Sequence, residues 1–168
     1  MTEMHTADDG RLVMKQVRTA FYERMRPTSV VPTVSSHTND YDDALHFSNL
    51  LWDETTAHDW AQYSDAIYRL TPEAFCYFLP GIIRVSVEDN QVALTVIESL
   101  MGSLDRSPVA QYWDDYFLQR WPKLTDIECD AVIAWIVWLD GHPLSPFSQD
   151  TILRACETLE LVKKHRAV

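Results

Sequence analysis

The stretch from Leu124 to Pro143, "LTDIECDAVIAWIVWLDGHP", constrains the fold more than any other part of the chain. Thr125 can cap the start of a helix, and Glu128 stands at the third helical position, where it completes a capping box. Gly141 and Pro143 follow in the order that ends a helix. The residues between these ends are mostly apolar, and we expect this set to face the core: Ile127, Ala131, Val132, Trp135, Ile136, Trp138 and Leu139. A helix that is apolar nearly all round is typical of the buried centre of a helical domain.

A second well-marked helix begins in "LTPEAFCYFLP", residues 70–80. Thr71 is a good N-cap, Pro72 suits the first helical position, and Glu73 places an acid where the helix dipole favours one. Apolar residues then recur at helical spacing, namely Phe75, Phe78, Leu79 and Ile82. Because proline cannot donate an amide hydrogen bond, Pro80 is expected to kink this helix or to begin a new one.

Six further segments have helical patterns, and only four glycines occur, which argues against a many-stranded β protein. The first segment, 11–25, carries the apolar stripe Leu12, Met14, Val17, Ala20, Phe21 and Met25. The others run from Asp40 or Tyr41 through Trp52, and over 58–70, 88–104, 109–121 and 148–165. We therefore predict an all-α, compact single domain over 1–168, with about six to eight helices and an extended connector at 27–39.

The size and composition of the chain set its expected class. A chain of 168 residues can bury a core without disulfides or metal. No apolar run approaches the roughly 18 residues needed to cross a bilayer, and acids occupy the start where a secretory signal needs bases. Cys76, Cys129 and Cys156 are odd in number and far apart, which favours reduced thiols. We expect a cytoplasmic protein that does not bind membranes, with Cys76 as a buried structural thiol.

Negative charge is concentrated in the middle of the chain. The formal net charge is -11, and residues 27–68 contain seven acids and no Lys or Arg, which makes the segment −7. Such a segment repels nucleic acid and attracts basic proteins or cations. We predict that six of its acids contact a basic protein partner: Asp40, Asp42, Asp43, Asp53, Glu54 and Asp59. The alternative is that the acidity serves solubility alone.

The two well-marked helices also carry a resemblance. "LTPEAFCYFLP", followed about 45 residues later by "RWPKLTDIECDAVIAWIVWLD", resembles an uncharacterised bacterial family of helical proteins. Its members show a Leu-Thr-Pro-Glu-Ala-Phe helix running into Tyr-x-Leu-Pro, and a later capped helix. The resemblance covers residues 41–165, and the sequence departs from it at Glu128, where Gln is expected, and at Gly81, where Ala is commoner. It implies a helical fold and a bacterial origin, and it implies no activity, because the family has none established.

Few residues carry a pattern that indicates chemistry. His46 lies one helical turn from Asp42 and Asp43, and His58 lies one turn from Glu54, so each pair could share a helix face and ligate a metal. These pairs lack the two-His-plus-acid pattern of a defined site, and we favour the interpretation that they are solvated helix faces with local charge pairs. The sequence has no phosphate-binding glycine loop and no nucleophile elbow. We therefore predict no catalytic residue, no metal and no cofactor.

Three function classes follow from these observations. The first is a small acidic binding protein, such as an immunity or inhibitor protein that neutralises a basic bacterial toxin. The second is a metal-dependent enzyme built on the His46 and His58 region. The third is an accessory subunit whose aromatic surface packs on a larger assembly.

Overall fold

The computed structural model describes residues 2–34 and 37–166, and within them the chain forms eight α-helices and no β-strand. The helices are α1 (Thr2–Ala20), α2 (Asn39–His46), α3 (Ala57–Gln62), α4 (Pro72–Glu88), α5 (Thr95–Ser103), α6 (Asp115–Arg120), α7 (Asp126–Gly141) and α8 (Gln149–Arg166). Short 3-10 helices cover Phe47–Asn49, Trp52–Glu54, Ser64–Tyr68, Ala110–Tyr112 and Trp121–Lys123. The predicted all-α class and the helix number are confirmed.

Helix α7 packs between α1 and α8, and its predicted N-terminal cap is present. The Thr125 hydroxyl accepts from the Glu128 amide, and the Glu128 carboxylate accepts from the Thr125 amide. Most of the predicted core residues are buried, including Trp135, whose indole Nε1 donates to Ser86 Oγ at 2.7 Å. Ile127 was predicted to face inward and is exposed. The prediction is wrong because α1 and α8 cover only part of the helix circumference, and the remaining apolar side is open.

Helix α1 shows a similar departure from its predicted stripe. Met14, Val17 and Phe21 are buried as expected, whereas Leu12 and Met25 are exposed. The helix ends at Ala20, so Met25 lies beyond it, and Val13 is buried where Leu12 was expected. The side chains of residues 2–6 lie outside the described part.

Helix α4 begins at Pro72 behind the Thr71 cap, as predicted, and runs without interruption through Pro80 to Glu88. Pro80 therefore does not begin a new helix. The residue after Pro80 is Gly81, and its missing side chain lets the 52–55 turn approach the backbone of α4 closely. A Cβ atom on Gly81 would lie 2.5 Å from the carbonyl oxygen of Trp52 and 2.7 Å from Thr55 Oγ1. The 52–55 turn thus rests directly on the bare backbone of α4.

The long helices predicted from Asp40 to Trp52 and over 58–70 are broken into shorter pieces. Extended backbone at Leu50 and Leu51 interrupts the first, and the second divides into α3 and the 3-10 helix Ser64–Tyr68. The breaks allow Phe47 and Trp60 to stack at 4.3 Å between ring centroids inside the core, where Phe78 meets Phe47 edge-on. Likewise α5 begins at Thr95 and α6 at Asp115, later than the patterns at 88–104 and 109–121 predicted.

The connector packs against the domain at one end. Residues 27–34 form no helix, yet Val30 and Val31 are buried, and the Val30 carbonyl accepts from the Thr71 amide at 2.9 Å. Residues 35 and 36 of the predicted connector lie outside the described residues.

A partly buried ion pair joins the segment that follows α1 to the start of α7. Arg24 donates through Nε to Glu128 Oε1 at 2.7 Å and through Nη2 to Glu128 Oε2 at 2.6 Å. The Glu128 side chain is almost fully buried, and Arg24 Nη2 also donates to the Lys123 carbonyl at 3.0 Å. One carboxylate thus caps α7 and binds the guanidinium in a two-point geometry, which is the stronger form of this contact.

Glu128→Gln should keep part of the cap and lose the charge-assisted pair. We expect the free energy of unfolding to fall by about 1–3 kcal/mol, because a hydrogen bond to a charged group contributes that much and Arg24 loses its counter-ion. Urea denaturation followed by circular dichroism measures the change. Asp126→Asn is the control, since its pair with Arg166 is exposed and should contribute less than about 1 kcal/mol. If both variants lost the same free energy of unfolding, burial would not make the Arg24–Glu128 pair more stabilising than an exposed pair.

Gly81→Ala should destabilise the protein although alanine favours helices. The added methyl group would overlap the Trp52 carbonyl, and such overpacking typically costs about 1–3 kcal/mol. Gly102→Ala in α5 is the matched control, because its Cβ would meet nothing within 4 Å and should stabilise the helix by up to about 1 kcal/mol. Thermal unfolding of both variants gives the comparison, and shifts of the same sign would refute the close-contact argument.

Candidate functional site

Two of the six predicted partner-binding acids are occupied by contacts within the chain. Asp40 Oδ2 accepts from Arg69 Nε at 2.7 Å. Asp59 accepts from His46 Nε2 at 2.8 Å and from the Thr56 amide and hydroxyl, also at 2.8 Å. Burial works to raise the pKa of both carboxyls, but hydrogen bonds outweigh it and leave each pKa lowered. Asp40 and Asp59 therefore hold the fold together locally.

The other four acids lie in two groups. Asp42 and Asp43 are on α2, and Asp53 and Glu54 are on the 52–54 turn. Asp42, Asp53 and Glu54 are exposed, and Asp43 is half-buried. Glu54 also caps its own turn, because its Oε2 accepts from the Leu51 amide at 3.1 Å.

Asp65 joins the first group, although we did not predict it as a site residue. Helix α2 packs against the 3-10 helix Ser64–Tyr68, which places Asp65 beside the Asp43 carboxylate. We call Asp42, Asp43 and Asp65 the acidic cluster. Burial raises the pKa of Asp43, and the negative charges of Asp65, Asp40 and Asp42 raise it further. The sequence analysis counted Asp65 only among the seven acids of residues 27–68, and that count was the one sequence feature that pointed to it.

The fold brings cations to a segment that has none of its own. Arg26 donates to the carbonyls of Ser48 and Leu50, and Arg84 donates to the carbonyl of Thr55. Arg69 binds Asp40. The segment is thus less negative in the folded protein than its sequence charge of −7 indicates. Within the described residues, the acidic cluster has no ion-pair partner of its own.

Exposed apolar side chains accompany these acids. Leu45 lies one turn from Asp42 on α2, Leu51 precedes Asp53, and Tyr68 ends the 3-10 helix that carries Asp65. All three are exposed. The segment therefore combines uncompensated carboxylates with apolar groups, the pairing found in protein interfaces with a polar rim.

The histidines considered as metal ligands are placed differently. The His46 ring stacks on Tyr63 with 3.9 Å between centroids, and its Nε2 is bound by Asp59 and not by Asp42 or Asp43. His58 is exposed. In residues 2–34 and 37–166, no group of three or more His, Cys, Asp and Glu side chains is arranged to hold a metal ion.

The three cysteines are free thiols, as predicted. Burial raises the pKa of Cys76 to about 12 and that of Cys129 to about 11. Cys76 Sγ donates to the Arg120 carbonyl at 3.6 Å. Because the thiolate is the reactive form, these two cysteines suit packing and not nucleophilic chemistry.

Comparison with protein-family models, curated proteins and solved structures finds no match to this chain. The resemblance to the uncharacterised bacterial family therefore stays a prediction. Among the described residues, every helix is too short or too polar to span a membrane.

Replacing Asp43 with Asn should stabilise the protein at neutral pH. The raised pKa means that the native state binds a proton more tightly than the unfolded chain, so ionised Asp43 opposes folding above that pKa. We expect a gain of about 0.5 kcal/mol or less that vanishes as the pH falls through the pKa and the wild-type carboxyl becomes neutral.

Asp59→Asn gives the opposite sign and serves as the control. Its lowered pKa means that ionised Asp59 favours folding, so the variant should lose stability at neutral pH and recover relative to wild type in acid. Urea denaturation across the acidic range measures both variants. Parallel pH profiles would contradict the division between structural and uncompensated acids.

Proposed function

We propose that this protein is a small acidic binding protein that covers a basic surface of another protein, as an immunity or inhibitor protein does for a toxin. The observation that carries the proposal is the acidic cluster, in which the packing of α2 on the 3-10 helix Ser64–Tyr68 brings Asp42, Asp43 and Asp65 together with no ion-pair partner within the described residues. Like charges held together without a counter-ion are typical of a surface that a cationic partner neutralises.

The neighbouring exposed residues support the same function. Rim charges chiefly steer association, whereas affinity comes from apolar and aromatic anchors at the centre of an interface. Leu45, Leu51 and Tyr68 are exposed beside the acids and can serve as these anchors. The revised partner-binding set is Asp42, Asp43, Asp53, Glu54 and Asp65, without Asp40 and Asp59.

The metal-dependent alternative has less support from the geometry. Its central residue, His46, has its Nε2 bound to Asp59 and not to Asp42 or Asp43, the candidate ligands one helical turn away. The accessory-subunit alternative rests on exposed apolar and aromatic residues, which occur beside the acids and also along α1 and α7.

The test uses the basic proteins encoded beside this gene, each produced in an inactivated form. Association with the full chain is followed by stopped-flow fluorescence at low and high salt. We expect one of them to bind, and the triple variant Asp42→Lys, Asp53→Lys and Asp65→Lys to slow association by about tenfold or more at low salt. None of these three side chains makes an ion pair within the described residues, so the fold should persist.

The matched control reverses Asp89, Asp140 and Glu157, which are exposed acids outside the segment. It changes the net charge by the same amount. Equal slowing by both triple variants would mean that only net charge matters. Failure of every neighbouring basic protein to bind would overturn the proposed function.

A further inference from the structure

A second surface lies along the seam between α1 and α7, away from the acidic cluster. The two helices are antiparallel, because Gly10 lies beside Trp138 and Arg24 binds Glu128. Two hollows follow the seam. One, of about 420 Å³, is lined by Leu12 and Gln16 of α1 and by Ala134 and Val137 of α7. The other, of about 950 Å³, is bordered by Tyr22, Met25 and Ile127. We call the two hollows together the α1–α7 groove.

The groove has the dimensions of a helix. On α7 the two hollows are lined from Ile127 to Gly141, a stretch of 15 residues that at helical rise is roughly 22 Å, or about four turns. Ala20 of α1 lines one hollow and Ala134 of α7 lines the other, and both side chains are small. A single helix can therefore lie along it, in the helix-in-groove mode of recognition.

The borders of the groove are unusually apolar for an exposed surface. The exposed fractions are 64% for Leu12, 57% for Val137, 65% for Ile127, 87% for Tyr22 and 86% for Met25. Leu12, Met25 and Ile127 are the residues whose patterns predicted burial. An apolar patch of this kind marks an interaction site.

The charges at the groove favour one kind of occupant. Asp9 and Glu23 line it, and neither has an ion-pair partner in the part of the chain that the structure describes. The neighbouring charges are already paired, Arg24 with Glu128 and Lys123 with Glu73, while Arg26 is bound to backbone carbonyls. A second copy of this chain would bring the same acids face to face, whereas a basic helix would neutralise them.

We propose that the α1–α7 groove binds one amphipathic helix of a partner protein, with an apolar stripe flanked by Lys or Arg. The apolar stripe lies on Leu12, Val137 and Ile127, and the flanking cations face Asp9 and Glu23. The site shares no residue with the acidic cluster. It stands whether or not the proposed function holds.

The test uses a synthetic Leu/Lys peptide of about 18 residues that forms an amphipathic helix of about five turns. Its binding to the full chain is measured by fluorescence anisotropy, beside a peptide of the same composition in scrambled order. We expect the amphipathic peptide to bind at least about tenfold more tightly than the scrambled one, because only the former presents a continuous apolar stripe.

Three variants locate the binding site. Val137→Arg and Ile127→Arg should each weaken binding about tenfold, because they place a cation against the apolar stripe and the peptide lysines. Leu153→Arg is the matched control, since Leu153 is 58% exposed on α8, and it should change the affinity less than about twofold. Circular dichroism melts confirm that each variant is folded.

The remaining outcomes overturn the proposal. If all three variants weakened peptide binding equally, or if both peptides bound equally tightly, binding would depend only on net charge and not on the groove. Loss of binding in the Asp42, Asp53 and Asp65 variant alone would place the peptide on the acidic cluster. A dimer in sedimentation velocity that Val137→Arg dissociates would assign the groove to a second copy.

Discussion

The two-point ion pair between Arg24 and Glu128 fixes the relation between the first helix and the central one. Arg24 lies just beyond α1, and Glu128 is already committed to the cap of α7, so the pair sets where the two helices meet. Antiparallel packing of α1 on α7 follows from that anchor together with the buried residues Val17 and Trp135. The groove along their seam follows in turn. Glu128 is also a point where the chain departs from the Gln expected by resemblance, and a neutral amide could not form this charged pair.

The helices that were predicted correctly are those whose first residues carry a recognisable capping pattern. Thr71 and Pro72 start α4, and Thr125 and Glu128 start α7, because capping needs only residues a few positions apart. In residues 39–70 the same reasoning predicted two long helices, and the structure has shorter ones instead. These helices are short because Phe47 and Trp60 stack against each other inside the core, and no local pattern encodes a contact between them. Apolar spacing also could not distinguish a buried stripe from an exposed one, as Leu12 and Ile127 demonstrate.

Charge raised a related difficulty for the candidate site. The sequence located the acids of residues 27–68, but not the cations that the fold brings to them from outside that range. Arg69 pairs with Asp40, and Arg26 and Arg84 bind backbone carbonyls of the segment. Asp40 and Asp59 were consequently predicted as contact residues although each completes a local hydrogen-bond network. Asp65 was counted as charge and missed as a neighbour of Asp43, because the packing of α2 on the 3-10 helix brings them together. Composition thus predicted the sign of the surface, and tertiary packing selected which carboxylates remain available.

The native cysteines can be used to measure local opening of the structure. Cys76 lies under α6 on helix α4, Cys129 lies on α7 within 3.6 Å of an Arg166 nitrogen from α8, and Cys156 is half-buried on α8. A thiol reagent can reach a buried sulfur only when the structure around it opens, so the labelling rate of each cysteine reads the free energy of that opening. Three thiols on three helices would thereby distinguish concerted unfolding from the separate detachment of α8, without any introduced cysteine.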